Sequence, residues 1–191
     1  MRGTLDRQPV LEGERLLLRP LAVADWDALD AVASDREMWA RQPTHDRWQA
    51  PVFRAFFEDA LAGGGALVIL DKRTGEVIGS SRFQGHDPAG GGEVEIGWTF
   101  LARRYWGKGY NAELKRLMLE HALRSVARVV FRVGAENAIS RKAMANIGGR
   151  LTGETFVAER TDGPMLHVVY EITRESFVDG PLAGRTSSAR T

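Results

Sequence analysis

The stretch RRYWGKGYNAE, Arg103–Glu113, holds two glycines, three cations and three aromatic residues just before a run with helical spacing. A turn that leads into a helix exposes unpaired backbone N–H groups and the positive end of the helix dipole. Gly107 and Gly109 would let a ligand approach that backbone closely. The stretch therefore predicts a phosphate or pyrophosphate site, with a solvated surface turn as the alternative.

Two nucleotide-binding motifs compete for the same residues. A Walker loop needs Ser or Thr after Gly-Lys and an earlier glycine, but the chain has Gly109 and Ala102 at those places. The dinucleotide fingerprint G-x-G-x-x-A is satisfied by GKGYNA, and Glu136 follows near the end of the next predicted strand. Against this alternative, ARRYW separates the glycines from the preceding strand, and only one βαβ unit is predicted.

Hydrophobic periodicity on both sides of the stretch predicts seven strands and four helices. Upstream lie a strand at 14–21, helices at 22–34 and 51–62, and a three-stranded meander whose last strand is EVEIGWTFL, 93–101. Downstream come a helix from Leu114, the strand ARVVFRVGA, the helix NAISRKAMANIGG and two final strands around the turn RTDGP, 160–164. The order predicts an α/β (α+β mixed) fold, a mixed sheet with helices on its faces.

Composition limits the classes of protein that the chain can belong to. Its 191 residues suit one domain, 43% are hydrophobic, and 26 basic residues nearly balance 25 acidic ones, so no nucleic-acid or membrane partner is expected. The absence of cysteine excludes a disulfide scaffold and suits a reducing, cytoplasmic location. We expect residues 1–179 to form the domain and residues 180–191 a flexible tail.

Three ordered motifs resemble one known superfamily. Arg104-Tyr105-Trp106-Gly107-Lys108-Gly109 resembles the acyl-CoA pyrophosphate loop of GNAT-superfamily N-acetyltransferases. EIGW, Glu95–Trp98, and ENAISRKAMANIGG, Glu136–Gly149, resemble the RimJ/RimL-type branch of that superfamily, the ribosomal-protein-alanine N-acetyltransferase-like proteins. The resemblance covers the chain from Glu14 to Ile172 and implies a mostly antiparallel sheet whose splayed central strands form the acyl-CoA cleft.

The resemblance implies which residues bind acetyl-CoA, the acyl donor. The backbone of the third meander strand would pair with the pantetheine arm, the loop and the helix start would hold the pyrophosphate with help from Arg104, and Asn137 and Ser140 would face the thiol. The expected donor-binding residues are Trp98, Phe100, Leu101, Arg104, Trp106, Gly107, Lys108, Gly109, Tyr110, Asn111, Asn137 and Ser140.

The resemblance also implies an enzyme that moves an acetyl group from acetyl-CoA to a primary amine, a protein N-terminus or a small molecule, by direct attack in a ternary complex. Glu95 alternates with Val94 and Ile96, so it is expected to face the cleft as the base, and Ser140 would protonate the leaving thiolate. The aromatic and charged stretch MWARQPTHDRW, 38–48, would line the acceptor pocket.

Several points stay open at this level. Four dispersed histidines give no metal-ligand pair, so no metal is expected. A homodimer is among the expected assemblies. A GNAT-like module that binds acyl-CoA without turnover is an alternative, because Glu95 and Ser140 are only candidate catalytic residues, and a dinucleotide-binding enzyme is a further alternative.

Overall fold

The structure is a computed structural model, which describes residues 4–40, 42, 44–159 and 163–183. Its strands, numbered in chain order, are β1 Leu11–Glu12, β2 Leu16–Pro20, β3 Ala66–Asp71, β4 Val77–Asp87, β5 Glu93–Leu101, β6 Arg128–Gly134, β7 Arg150–Ala158 and β8 Met165–Thr173. Its α-helices are α1 Trp26–Ala33, α2 Arg36–Trp39, α3 Ala50–Ala62, α4 Tyr110–Ala122, α5 Ala138–Asn146 and α6 Arg174–Val178.

All the described strands belong to one sheet with the order β1-β2-β3-β4-β5-β6-β8-β7. Every neighbouring pair is antiparallel except β5 and β6, which run parallel because α4 makes the crossover between them. A dinucleotide fold needs several parallel strands side by side. The single parallel pair in the described part of the chain therefore rules out that alternative.

Helices cover both faces of the sheet, and the side chains of β3 are buried on both sides. Leu67 and Ile69 lie in the core on the side of α4 and α5, whereas Ala66 and Val68 lie in the core on the side of α1, α2 and α3. Because both faces of the strand are covered, ALVIL reads as a continuous apolar run rather than an alternating one.

The mixed fold predicted from sequence is confirmed, but the predicted count of elements was too low. Among the described residues the sheet has eight strands rather than seven. The additional strand, β1, pairs with β2 but is only two residues long, too short for an alternation that could reveal it. The described chain also holds six α-helices rather than four. The additional ones, α2 and α6, have four and five residues, too few for a helical period to be seen.

Two predicted features reach residues that the structure does not describe. Residues 160–162 of the predicted turn and residues 184–191 of the predicted tail lie outside the described residues. Within the predicted tail, Leu182 is buried in the core on the α4 side. The domain boundary at residue 179 stays a prediction.

Candidate active site

Strands β5 and β6 separate at the centre of the sheet. Their parallel pairing covers Glu93 with Arg128, Val94 with Val129 and Glu95 with Val130, and it stops there although both strands continue. The gap between the diverging halves opens into a cleft of about 370 Å³. The splayed arrangement that the resemblance implied is therefore present.

A bulge marks the start of the unpaired half of β5. Ser80 pairs with Phe100 and Arg82 with Gly97, so Trp98 and Thr99 together oppose Ser81. Trp98 has φ +55°, the left-handed region that a residue with a side chain adopts at a cost of roughly 1–2 kcal/mol. Such a conformation persists only where surrounding contacts impose it.

The loop before α4 has the backbone geometry of an anion cradle. Gly107 and Gly109 have φ +68° and +83°, and Gly109 is the N-cap residue of α4. The first N–H groups of α4 have no preceding turn to donate to and point out of the helix start. A pyrophosphate fits this donor set, which combines free N–H groups, the positive end of the helix dipole and the exposed Lys108.

Contacts from distant residues fix the loop. The Arg15 guanidinium donates through Nη1 to the Lys108 carbonyl oxygen at 2.8 Å and lies over the Tyr110 ring. Glu113, 8% exposed, accepts from Arg15 Nε and from the backbone N–H groups of Arg15 and Leu16. The first turn of α4 is thereby tied to β2.

Two aromatic side chains anchor the segment that connects β5 to the loop. The Trp106 indole N–H donates to the Leu101 carbonyl oxygen at 2.7 Å. The buried Tyr105 hydroxyl donates to Asp71 Oδ2 at 3.1 Å. Arg104, expected to assist the pyrophosphate, instead forms an exposed ion pair with Glu76 at 2.9 Å and does not line the cleft.

Most of the residues predicted to bind the donor lie at the cleft or at its end. Gly107, Lys108, Gly109 and Tyr110 form the loop and the start of α4. The predicted residues that line the cleft itself are Trp98, Phe100, Leu101, Trp106, Asn111, Asn137 and Ser140. The Phe100 ring is buried against Trp39 and Phe53, so only its backbone is placed to meet a ligand.

Glu95 lies beside the cleft and is already paired. It alternates with Val94 and Ile96 as predicted, but it is 6% exposed and its Oε2 forms an ion pair with Arg132 Nη1 of β6. Arg132, rather than Glu95, lines the cavity. The other carboxylate oxygen, Oε1, lies on the side of Gly97 to which a side chain would point, since a Cβ added to this glycine would be 3.2 Å from it. A ligand approaching over Gly97 would meet this oxygen.

The start of α5 forms the opposite wall. Asn137 caps the helix, because its Oδ1 accepts the N–H of Ser140 at 3.0 Å. The cap fixes the first turn of α5, and Ser140 lines the cleft from this turn.

The predicted acceptor pocket is built around an arginine. Arg47 lies 5.3, 4.3 and 5.1 Å from the ring centroids of Trp39, Phe56 and Trp98, the range of cation–π contact. Trp39 and Arg47 both line the cleft, as does Gln42. Residues 41 and 43 of the same stretch lie outside the described residues.

Sequence reasoning missed Lys115, the buried lysine of the site. It is 3% exposed, lines the cleft from α4, and donates to Thr99 Oγ1 at 2.6 Å. Burial lowers the pKa of its amine to about 7. A signal was present: Lys115 shares a stripe with Met118 and Ala122 at helical spacing, and both are fully buried.

Among the residues that the structure describes, no cluster of three His, Cys, Asp or Glu side chains is arranged to hold a metal ion. None of the helices in this described part of the chain has the length and apolar character needed to cross a membrane.

Comparisons with known proteins agree with this geometry. The acetyltransferase (GNAT) domain family matches residues 15–150. The uncharacterized N-acetyltransferase p20 of Bacillus licheniformis is 30% identical over 162 residues, 81% of this chain and 90% of the relative. A solved acetyltransferase from Agrobacterium tumefaciens str. C58 is 30% identical with a TM-score of 0.60, over 87% of this chain and 95% of that one.

A further solved structure, Mycobacterium smegmatis RimJ in complex with CoA-disulfide, superposes with a TM-score of 0.65. It is 20% identical and is covered to 82%, against 84% of this chain, so it supports the fold alone. The family match spans most of the chain, and the splayed strands and the glycine loop lie within it. The chain belongs to the GNAT family of acetyltransferases.

Proposed function

We propose that the protein transfers an acetyl group from acetyl-CoA to a primary amine, by direct attack of the amine in a ternary complex. The observation that carries the proposal is the cleft between β5 and β6, which has the glycine loop at one end, Ser140 in its lining and Glu95 beside it, behind Arg132. Bound acetyl-CoA would supply a thioester, whose carbonyl carbon is the electrophile.

The chain's own groups divide the work of binding the donor. The N–H groups of the loop and of the first turn of α4 would hold the pyrophosphate. The unpaired edge of β5, Trp98–Leu101, would offer backbone groups to the pantetheine amides, and a backbone N–H at the bulge would polarise the carbonyl. Arg104 would have to exchange Glu76 for phosphate to assist.

The acceptor amine must lose a proton before or during its attack. Glu95 is proposed as the group that orients the amine and takes its proton, with access over Gly97, and Ser140 as the donor to the leaving thiolate. Trp39, Arg47 and Trp98 would surround the acceptor on the other side of the cleft. The acceptor class is that of the RimJ/RimL branch or its small-molecule relatives, a protein N-terminus or a small amine.

A second candidate is a module that binds acyl-CoA without turnover. The ion pair between Glu95 and Arg132 favours it, because the carboxylate already has a cationic partner. The two candidates make the same prediction for CoA binding and opposite predictions for thiol release.

Thiol release from acetyl-CoA, measured against panels of peptides with free N-termini, amino acids, polyamines and aminoglycosides, tests the proposal. Release with at least one amine, together with a mass increase of one acetyl group on that amine, is expected. Tight CoA binding with no release across the panels would support the binding module. Absence of CoA binding would refute both.

The expected homodimer is also a proposal. Three exposed apolar side chains that the register of β7 on β8 places on one face of the last hairpin, Leu151, Val157 and Leu166, offer a face for a second copy. Light scattering of the purified protein measures the oligomeric state directly.

A further inference from the structure

The bulge in β5 is held by a chain of three polar side chains. Thr99 Oγ1 lies 2.8 Å from Ser81 Oγ on β4 and 2.6 Å from Lys115 Nζ on α4. Ser81 is the residue that the two bulged residues oppose, so the chain joins the bulge to the paired strand and to the helix. The threonine side chain is thereby fixed next to Trp98, whose backbone is strained.

Lys115 reaches across the opening between the strands. Its Nζ lies 5.5 Å from the centroid of the Phe131 ring on β6, while it donates to Thr99 on β5. The amine therefore lies where the two strands have stopped pairing, at the base of the cleft.

Packing alone does not account for an amine at this place. Burying an amine that makes one hydrogen bond is unfavourable, whereas Met or Leu would fill the same space without that cost. Burial lowers the pKa of Lys115, and no carboxylate among the described residues forms an ion pair with its amine. The favourable polar contacts of the amine are the hydrogen bond to Thr99 and the more distant ring of Phe131.

We propose that Lys115 is a positioning residue of the cleft, which holds the Trp98–Thr99 bulge in place through Thr99 and Ser81 and thereby keeps the unpaired edge of β5 open for the acyl donor. The proposal rests on the proposed function for the identity of the ligand. The anchoring of β5 by Lys115 does not depend on any ligand and can be measured separately.

We expect this contact to depend on protonation. A charged Lys115 is poorly accommodated in the buried site, so its hold on Thr99 should weaken as the amine becomes protonated at low pH. The other ionisable groups along the cleft are Arg47, Arg132, which Glu95 pairs, and His167 on β8. On β4, Arg82 is bonded to Asp59. A pH series must therefore separate Lys115 from His167.

The first test is hydrogen exchange of the unliganded protein. Lys115→Met keeps the volume of the side chain and removes the amine, and Thr99→Val keeps the shape of the side chain and removes the hydroxyl. Each is expected to raise the exchange rate of amides 97–101 by about tenfold, the worth of one hydrogen bond. Lys142→Met, an exposed lysine outside the cleft lining, is the matched control. Unchanged exchange in Lys115→Met would overturn the proposal.

The second test is CoA affinity by calorimetry. Lys115→Met and Thr99→Val are each expected to weaken binding by about tenfold, and the double variant no further, because the two residues act through one contact. A loss of CoA affinity in Lys115→Met with none in Thr99→Val would overturn the proposal that Lys115 acts through Thr99. If the unmodified protein does not bind CoA, the proposed function fails, while the exchange experiment still tests whether Lys115 holds the bulge of β5 in place.

The third readout is the pH dependence of CoA affinity between pH 6 and 8.5. The advantage of the unmodified protein over Lys115→Met is expected to shrink as the pH falls below about 7. The same series in a His167→Gln background must give the same change. A ratio of affinities that is constant with pH would show that protonation of Lys115 does not weaken its hold on Thr99 and would contradict this part of the proposal.

Discussion

The ion pair between Glu95 and Arg132 stands at the point where β5 and β6 part. Glu95 is the last residue of β5 that pairs with β6, and Arg132 lies two residues beyond its partner Val130. The pair therefore closes the paired half of the sheet and faces the beginning of the cleft, which Arg132 lines.

Glu95→Gln tests whether this carboxylate takes part in turnover. Gln keeps the size of the side chain but is a much weaker base, so kcat is expected to fall by about 10²–10⁴-fold with CoA affinity unchanged. Steady-state kinetics and calorimetry measure the two quantities. Arg132→Met serves as the partner variant, since it removes the cation and keeps the carboxylate. Turnover that Glu95→Gln leaves intact would remove Glu95 from the mechanism.

Gly109→Ala tests the pyrophosphate cradle against a matched glycine. Gly109 and Gly153 have φ +83° and +85°, so alanine costs roughly 1–2 kcal/mol of backbone strain at either position. Only the change at Gly109 puts a methyl group and a shifted backbone at the helix start, so only it is expected to weaken CoA binding, by about tenfold or more. Equal effects of the two variants on CoA affinity would contradict the assignment of the loop.

Glu113→Gln tests the tie between α4 and β2. The amide would keep one acceptor oxygen but direct an NH₂ group at donors of Arg15 or Leu16, leaving buried groups unpaired. We expect the free energy of unfolding in urea to fall by roughly 2–4 kcal/mol. Glu120→Gln is the control on the same helix, because Glu120 is more exposed and pairs with Arg116 within one helical turn. A similar loss in both variants would contradict the special role of Glu113.

The sequence predicts those features that depend on residues close together in the chain. The period of the apolar residues predicts the longer strands and helices but not the short β1, α2 and α6, and the two glycines before a helix predict the positive φ that Gly107 and Gly109 adopt. That this loop holds a pyrophosphate stays a prediction. The partner of Glu95 was not predictable, because Arg132 meets it only through the register of β5 on β6, 37 residues apart. Arg15 and Glu113, 98 residues apart, were missed for the same reason.

Lys115 differs from those cases, because its own helix carries the signal. Asn111, Lys115, Met118 and Ala122 follow one stripe of α4, so the apolar pattern places the lysine on the buried side. A lysine on an apolar stripe usually extends its amine to water. Here Thr99 and the cleft hold the amine inside, and only the tertiary structure shows that.

The buried Lys115 also predicts how stability depends on pH. Its pKa is about 7 in the folded protein, against the ordinary value of 10.5 for a lysine amine, which the unfolded chain should approach. Between these values the unfolded chain binds one more proton than the folded protein, so the contribution of Lys115 makes the free energy of unfolding rise with pH. Below pH 7 both states are protonated, and the penalty of the buried charge is fully present.

Lys115→Met is therefore expected to have a higher free energy of unfolding than the unmodified protein, and this gain should be largest at or below pH 7. That gain should shrink by up to about 1.4 kcal/mol per pH unit between pH 7.5 and 9.5 in urea denaturation. In the control Lys142→Met, the free energy of unfolding should change with pH as it does in the unmodified protein. If instead the free energies of Lys115→Met and the unmodified protein differ by an amount that stays constant with pH, the buried amine is charged and the prediction fails.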